Sequence, residues 1–184
     1  MQKQLTILTG SARRNGNAFY LADLLENDAK KMGYEVKRFD VGLMNISGCL
    51  HCNQCYKNGK PCIKDDGFNE IALALKESSS IAFVTPLYWY SWPSQLKSVI
   101  DRFYSIYGKG ELFTDKKTVL LSSCGDEEKN KPFDGLLYSY EMSMDLMDAT
   151  RVGTALFYNA DEPDTVKKAL KKGALDKLEK KLLA

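Results

Sequence analysis

Four of the five cysteines crowd into one stretch: Cys49, Cys52, Cys55 and Cys62 have the spacing C-x2-C-x2-C-x6-C. Thiols repeated at three-residue steps can ligate successive irons of a 4Fe–4S cluster from one turn, with a fourth ligand farther along. Zinc more often takes two separated C-x-x-C pairs, and a C-x-x-C at a helix start can be a redox dithiol. Reduced thiols lining a loop need hold nothing at all. All four occupancies stay open on spacing alone. His51, the only histidine, lies inside this ladder; a single loop histidine is by default neither ligand nor proton donor.

A second constellation is Gly10-Ser11-Ala12-Arg13-Arg14-Asn15-Gly16-Asn17. Placed between a strand and a helix, it offers unpaired N–H groups and a partial positive charge to a phosphate. Ser11, Asn15 and Asn17 add short donors, and Arg13 adds a charge-assisted contact. It is not a Walker loop, because Gly16 is followed by Asn17 and Ala18, nor a dinucleotide fingerprint, because only Gly10 and Gly16 are present. The plain alternative is a polar turn with its N-cap at Asn15 or Asn17. A third constellation, Pro86 to Pro93, packs four large aromatics (Tyr88, Trp89, Tyr90, Trp92) into five positions. Aromatics are usually core, but a loop bounded by two prolines leaves the sheet surface. Ser123-Cys124-Gly125 is a fourth, small enough for close backbone approach; Cys124 also reads as a small buried hydrophobe.

These loops need a scaffold, and the apolar pattern supplies it. Buried-strand patterns run over Leu5–Thr9, Glu35–Val41, Ile81–Thr85, Lys117–Ser123 and Val152–Tyr158. Between them, helical spacing recurs from Asn17 to Gly33, after Asp65-Asp66 (Ile71, Leu73, Ala74, Leu75), and after Pro93 (Leu96, Val99, Ile100, Phe103, Tyr107). A further helix carries Phe133, Leu136, Leu137, Tyr140, Met144 and Met147. Asp161-Glu162-Pro163 opens a lysine-rich last helix with Val166, Leu170, Leu175, Leu178 and Leu182 inward. Strands alternating with helices imply parallel βαβ units, hence an α/β, doubly wound five-stranded sheet of order 2-1-3-4-5 with helices on both faces. Residues 1–184 read as one domain. A ligand then sits beyond the carboxyl ends of the strands at the switch point, where the loops after strands one, three and four meet.

GSARRNGNA, TPLYWYSWPSQLKSVIDRF and SSCGD together resemble the NADPH-dependent FMN reductase branch of the flavodoxin-like superfamily. The resemblance implies that Ser11, Arg13, Asn15 and Asn17 hold the FMN phosphate, with Ala18 standing where the family often has Thr. It places Pro86, Leu87, Tyr88 and Trp89 along the isoalloxazine and Ser123, Cys124 and Gly125 at its other edge. Tyr90 and Trp92 are left to face a partner subunit in a homodimer or homotetramer. Asp101-Arg102 also matches the family pattern, although such a pair reads by default as a solvated or structural ion pair. The cysteine spacing is similar to that of iron–sulfur flavoproteins.

The implied activity is FMN-dependent NAD(P)H oxidoreduction, with electrons passing to a quinone, flavin or other small acceptor. The alternative is an electron relay between protein partners through FMN and a cluster. FMN and NAD(P)H are the expected cofactors, with the cluster kept second. No catalytic side chain is assigned, since the flavin would carry the chemistry. Composition excludes other classes. With 26 Lys and Arg against 24 Asp and Glu, the charge is +2, which leaves no basic footprint for nucleic acid or an anionic membrane. Apolar residues make up 44% of the 184, too many for disorder. The uncharged run Ser78–Leu96 is too polar to span a bilayer, and the start lacks the apolar run of a signal peptide. A cytoplasmic location is expected.

Overall fold

The computed structural model describes residues 3–170 and 175–184, and its five strands are parallel in the order β2-β1-β3-β4-β5. They are β1 (Gln4–Thr9), β2 (Glu35–Phe39), β3 (Ser80–Pro86), β4 (Lys117–Ser123) and β5 (Thr150–Phe157). The expected topology is the observed one. β1 is buried throughout, and β3 and β4 are buried except at Pro86 and Lys117. Strands covered by helices on both faces need such continuous burial. β2 and β5 form the half-exposed edges.

Seven helices are described: α1 (Asn17–Lys31), α2 (Phe68–Glu77), α3 (Ser94–Asp101), α4 (Phe103–Gly108), α5 (Asp134–Leu146), α6 (Thr165–Ala169) and α7 (Asp176–Leu182). On one face of the sheet, Phe68, Leu75, Leu96, Val99, Phe103 and Tyr140 from α2 to α5 pack with Phe83 and Leu120. On the other, Leu21 and Leu25 of α1, Val166 of α6 and Leu182 of α7 pack with Ile7, Val84 and Val119. Removing these apolar surfaces from water supplies the main driving force for the two layers.

Two helices expected to be continuous are broken. The one after Pro93 is interrupted at Arg102 (φ −86°, ψ −2°), and α4 begins at Phe103. The break rotates the inward face, so Ile106 is buried and Tyr107 is exposed, the reverse of the expected stripe. The last helix ends when Leu170 turns extended (φ −75°, ψ 107°), and a separate helix starts at Asp176. The expected single helix also crosses residues 171–174, which lie outside those described. Of the apolar residues that mark α2, Ile71, Ala74 and Leu75 are buried and Leu73 is exposed.

Register brings the loops together. Thr9 stands opposite Val84 and Pro86 opposite Ser123, so β1, β3 and β4 end nearly level. The chain leaves β1 toward one side of the sheet and β3 toward the other, which opens a crevice between them.

Candidate functional site

The crevice is a cleft of about 480 Å³, within the range of small-molecule sites. Its floor is the loop after β1. Ser11 Oγ accepts the Arg13 N–H at 3.0 Å, and the Gly16 N–H donates to Arg13 O at 3.0 Å, folding the loop into a tight turn. The segment after β2 presses on this turn at Gly42, where a Cβ would overlap the Ser11 carbonyl. Gly16 is extended (φ −89°, ψ 169°) and no side chain caps α1, so neither Asn15 nor Asn17 is its N-cap. The first-turn N–H groups of α1 are left for a ligand. Among the described residues, the exposed side chains of Arg13, Arg14 and Asn15 have no hydrogen-bond or ion-pair partner.

Eleven of the twelve residues expected at a cofactor line this cleft: Ser11, Arg13, Asn15, Asn17, Ala18, Pro86, Leu87, Tyr88, Ser123, Cys124 and Gly125. Trp89 does not. Tyr88 and Ser91 exchange backbone hydrogen bonds at 3.1 and 3.0 Å, closing a two-residue turn in which Trp89 (φ 46°) and Tyr90 (φ 61°) are left-handed. Trp89 sits at the apex, 95% exposed, and is not a wall of the cleft. Trp92, expected to face a partner subunit, is buried beside Phe83 and Tyr140 and donates its indole N–H to Ser139 Oγ at 2.9 Å.

Asn17 lines the cleft, but its side chain is engaged elsewhere. Nδ2 donates to Ala160 O at 3.0 Å and Glu162 O at 2.9 Å, while Oδ1 accepts the Val166 N–H at 3.1 Å. It clamps the loop after β5 against the start of α1. That loop contributes Ala160, Asp161 and Pro163 to the lining, which sequence reasoning missed by considering only strands one, three and four. The signal was available, since β5 ends on the same edge of the sheet. Asp161 closes over Gly125, where a Cβ would overlap its carboxylate. Cys124 lines the cleft and is buried, its thiol donating to Asp126 O at 3.7 Å. Burial pushes that thiol's pKa up.

The four remaining cysteines share a separate hollow with Leu50, His51, Asn53, Lys64, Arg102 and Tyr104. The enclosed space is only about 20 Å³, the rest opening to solvent. Cys49 and Cys52 are exposed on its rim, while Cys55 and Cys62 are partly covered. Left-handed residues at His51 (φ 49°), Asn53 (φ 52°) and Tyr56 (φ 60°) coil the backbone between the thiols. Burial raises the Cys55 pKa, and the neighbouring sulfurs of Cys62, Cys49 and Cys52 raise it further, which marks the four as one electrostatic group. Among the described residues, no three ligand-type side chains converge on one ion-sized point. A four-iron cluster does not require that, since it takes one thiolate per iron. The donor set therefore fits a cluster.

Asp66 fixes this segment. It accepts from Arg102 Nη1 at 2.7 Å on both oxygens, and from the backbone N–H groups of Phe68 and Ser47 at 3.2 Å. Burial pushes its pKa up, but these donors outweigh it and hold the carboxyl below its ordinary range. Asp101, by contrast, makes an exposed pair with Lys97 at 2.5 Å. His51 packs edge-on against Tyr104.

A family model described as NADPH-dependent FMN reductase matches residues 4–131. An iron–sulfur flavoprotein of Archaeoglobus fulgidus is 33% identical over 120 residues, covering 65% of this chain and 60% of its own length. One from Methanocaldococcus jannaschii is 34% identical over 102 residues, covering 55% and 51% respectively. The chain thus spans about half to 60% of the length of these relatives. Among solved structures, an azoreductase from Bacillus anthracis superposes with a TM-score of 0.72 over 99% of both chains at 16% identity, a likeness of fold.

Proposed function

Because the chain belongs to the NADPH-dependent FMN reductase family, we propose that it is an FMN-binding oxidoreductase that takes electrons from NAD(P)H. It passes them to a small acceptor such as a quinone or free flavin, and it holds a 4Fe–4S cluster on Cys49, Cys52, Cys55 and Cys62. When bound, FMN supplies two-electron exchange with a nicotinamide and one-electron exchange with other centres, and a cluster supplies one-electron transfer. The observation that carries the reading is the cleft itself, where an uncapped helix start, unpartnered Arg13 and small or apolar walls converge at the switch point.

Within that reading, the first-turn N–H groups of α1 and the Arg13 guanidinium would hold the phosphate. Leu87 and Tyr88 would cover one side of the ring, and Ser123 to Gly125 would allow close backbone approach to it. Asn17 acts indirectly, holding Asp161 and Pro163 in place over the cleft. A cytoplasmic location and a homodimer or homotetramer belong to the same proposal. The exposed Trp89–Tyr90 apex offers apolar surface to such an assembly, and no helix among the described residues is long and apolar enough to cross a membrane.

One observation favours a second route for the electrons. Cys49 and Cys52 lie at the surface beside Leu50, which is 72% exposed. A cluster there would present an edge to a protein partner, as in a relay, and two relatives are named iron–sulfur flavoproteins. Anaerobic titration with FMN and then with NADH or NADPH separates the routes. Tight FMN binding and loss of the oxidised flavin spectrum on adding either nucleotide are expected. Bound FMN that neither nucleotide reduces would leave only the relay, and no FMN binding would end both readings.

A further inference from the structure

Arg102 lies in the cysteine hollow, far along the chain from every thiol there. It occupies the break between α3 and α4 and is 2% exposed. Its guanidinium carbon stands 4.2 Å from the Phe68 ring centre. Nη1 is saturated by the Asp66 carboxylate and by Ser47 O at 3.2 Å. Nε and Nη2 are buried and have no hydrogen-bond partner among the described residues. A buried charged donor without an acceptor costs a few kcal/mol, and buried cations are normally fully hydrogen-bonded. The break at Arg102, the Phe68 face and the bidentate Asp66 contact all hold the guanidinium in this unsatisfied position. The hollow it lines is lined also by four sulfurs.

Resting on the cluster reading above, we propose that Arg102 donates through Nε and Nη2 to the sulfurs of the cysteine-held cluster and thereby sets its reduction potential. Four thiolates make an oxidised 4Fe–4S centre anionic, and reduction adds one more negative charge. Donors and a nearby cation bind the more anionic state more strongly, so they raise the potential. Asp66 opposes this by neutralising part of the guanidinium charge. Arg102 is thus a positioning and tuning residue, and the hollow is completed from the break between α3 and α4 rather than from the cysteine segment alone.

The test is an anaerobic redox titration with dithionite, which supplies the electrons to both centres, on protein loaded with FMN, equal amounts of ferrous and ferric iron, and sulfide. Arg102→Gln is expected to lower the cluster potential by about tenfold in the one-electron equilibrium, or about 59 mV, leaving the flavin potential unchanged. Asp66→Asn, which removes the opposing charge, is expected to raise it. If Arg102→Gln does not fold or load, Arg102→Lys, which keeps the charge but loses the fork, is expected to shift the potential downward by less. A purely structural role predicts shifts of the same sign for Arg102→Gln and Asp66→Asn, or none, and either result overturns the proposal. So does an unshifted Arg102→Lys when Arg102→Gln cannot be prepared. Absence of iron and sulfide from the unaltered protein overturns the cluster reading, and this inference with it.

Discussion

Arg13 and Glu179 show how single side chains are set for different purposes. Arg13 is exposed, unpartnered among the described residues and at the mouth of the cleft. If its guanidinium meets the FMN phosphate, Arg13→Ala should weaken binding by about 1.5–3 kcal/mol, read as the dissociation constant from flavin fluorescence. An unchanged constant would remove Arg13 from the phosphate site. Glu179 is buried, its Oε1 has no hydrogen-bond partner among the described residues, and its pKa is pushed up to about 7. Burial is the main cause, Asp28 and Asp176 add to it, and Lys31 opposes it. A carboxyl raised in the folded state stabilises fully below its ordinary value near 4.5, and that contribution is lost as pH climbs through about 7. Glu179→Gln should therefore match the parent near pH 4.5 and exceed it by about 3 kcal/mol at pH 8 in denaturant melts. Glu179 was not legible in the sequence as special, and Arg102 stood out only beside Asp101, not as the partner of Asp66. Arg102 and Asp66 are 36 positions apart, and only the fold brings them together.

At the scale of elements, the alternation of apolar runs and helical stripes was enough to order the strands, because parallel βαβ units leave few topologies open. Local breaks were not legible. The stripe Leu96, Val99, Ile100, Phe103, Tyr107 reads straight through Arg102, since only its last member, Tyr107, departs from the inward face after the break. The turn at Trp89 and Tyr90 was hidden for a related reason. Two-residue turns of this kind favour Asn and Gly, whose backbones adopt positive φ easily, and the sequence has two aromatics there instead. Such residues are strained in that region. Tyr90→Gly should raise the stability of the isolated chain by about 1 kcal/mol in urea unfolding without altering FMN affinity. Lower stability would mean that Tyr90 packing outweighs the strain. The cleft residues themselves were mostly legible because loops at the carboxyl ends of inner strands are the one place this sheet can bind a ligand. Asp161 escaped because Asp-Glu-Pro also reads as an ordinary helix start.

At the scale of the whole molecule, two apolar layers sandwich one sheet, and two chemically different hollows open from it. α3 links them: its first residues follow the aromatic turn beside the cleft, and the residue after its last lines the cysteine hollow. Eight residues of helix span about 12 Å. Reading 1–184 as one domain predicts a single cooperative thermal transition. FMN bound only by the folded state should raise its midpoint by about 5–10 °C at a hundredfold excess over the dissociation constant. Calorimetry with and without FMN checks both, and two transitions, or one unmoved by FMN, would contradict them. The central claim is that one chain holds FMN in the cleft and a four-iron cluster on the cysteines. Its most direct test is a combined flavin, iron and sulfide analysis of protein loaded under anaerobic conditions, with the absorption spectrum recorded on the same sample. About four irons and four sulfides for each FMN are expected, lost on replacing Cys49 and Cys52 by Ser while the flavin stays. Flavin without iron, or iron that survives loss of those cysteines, would contradict it.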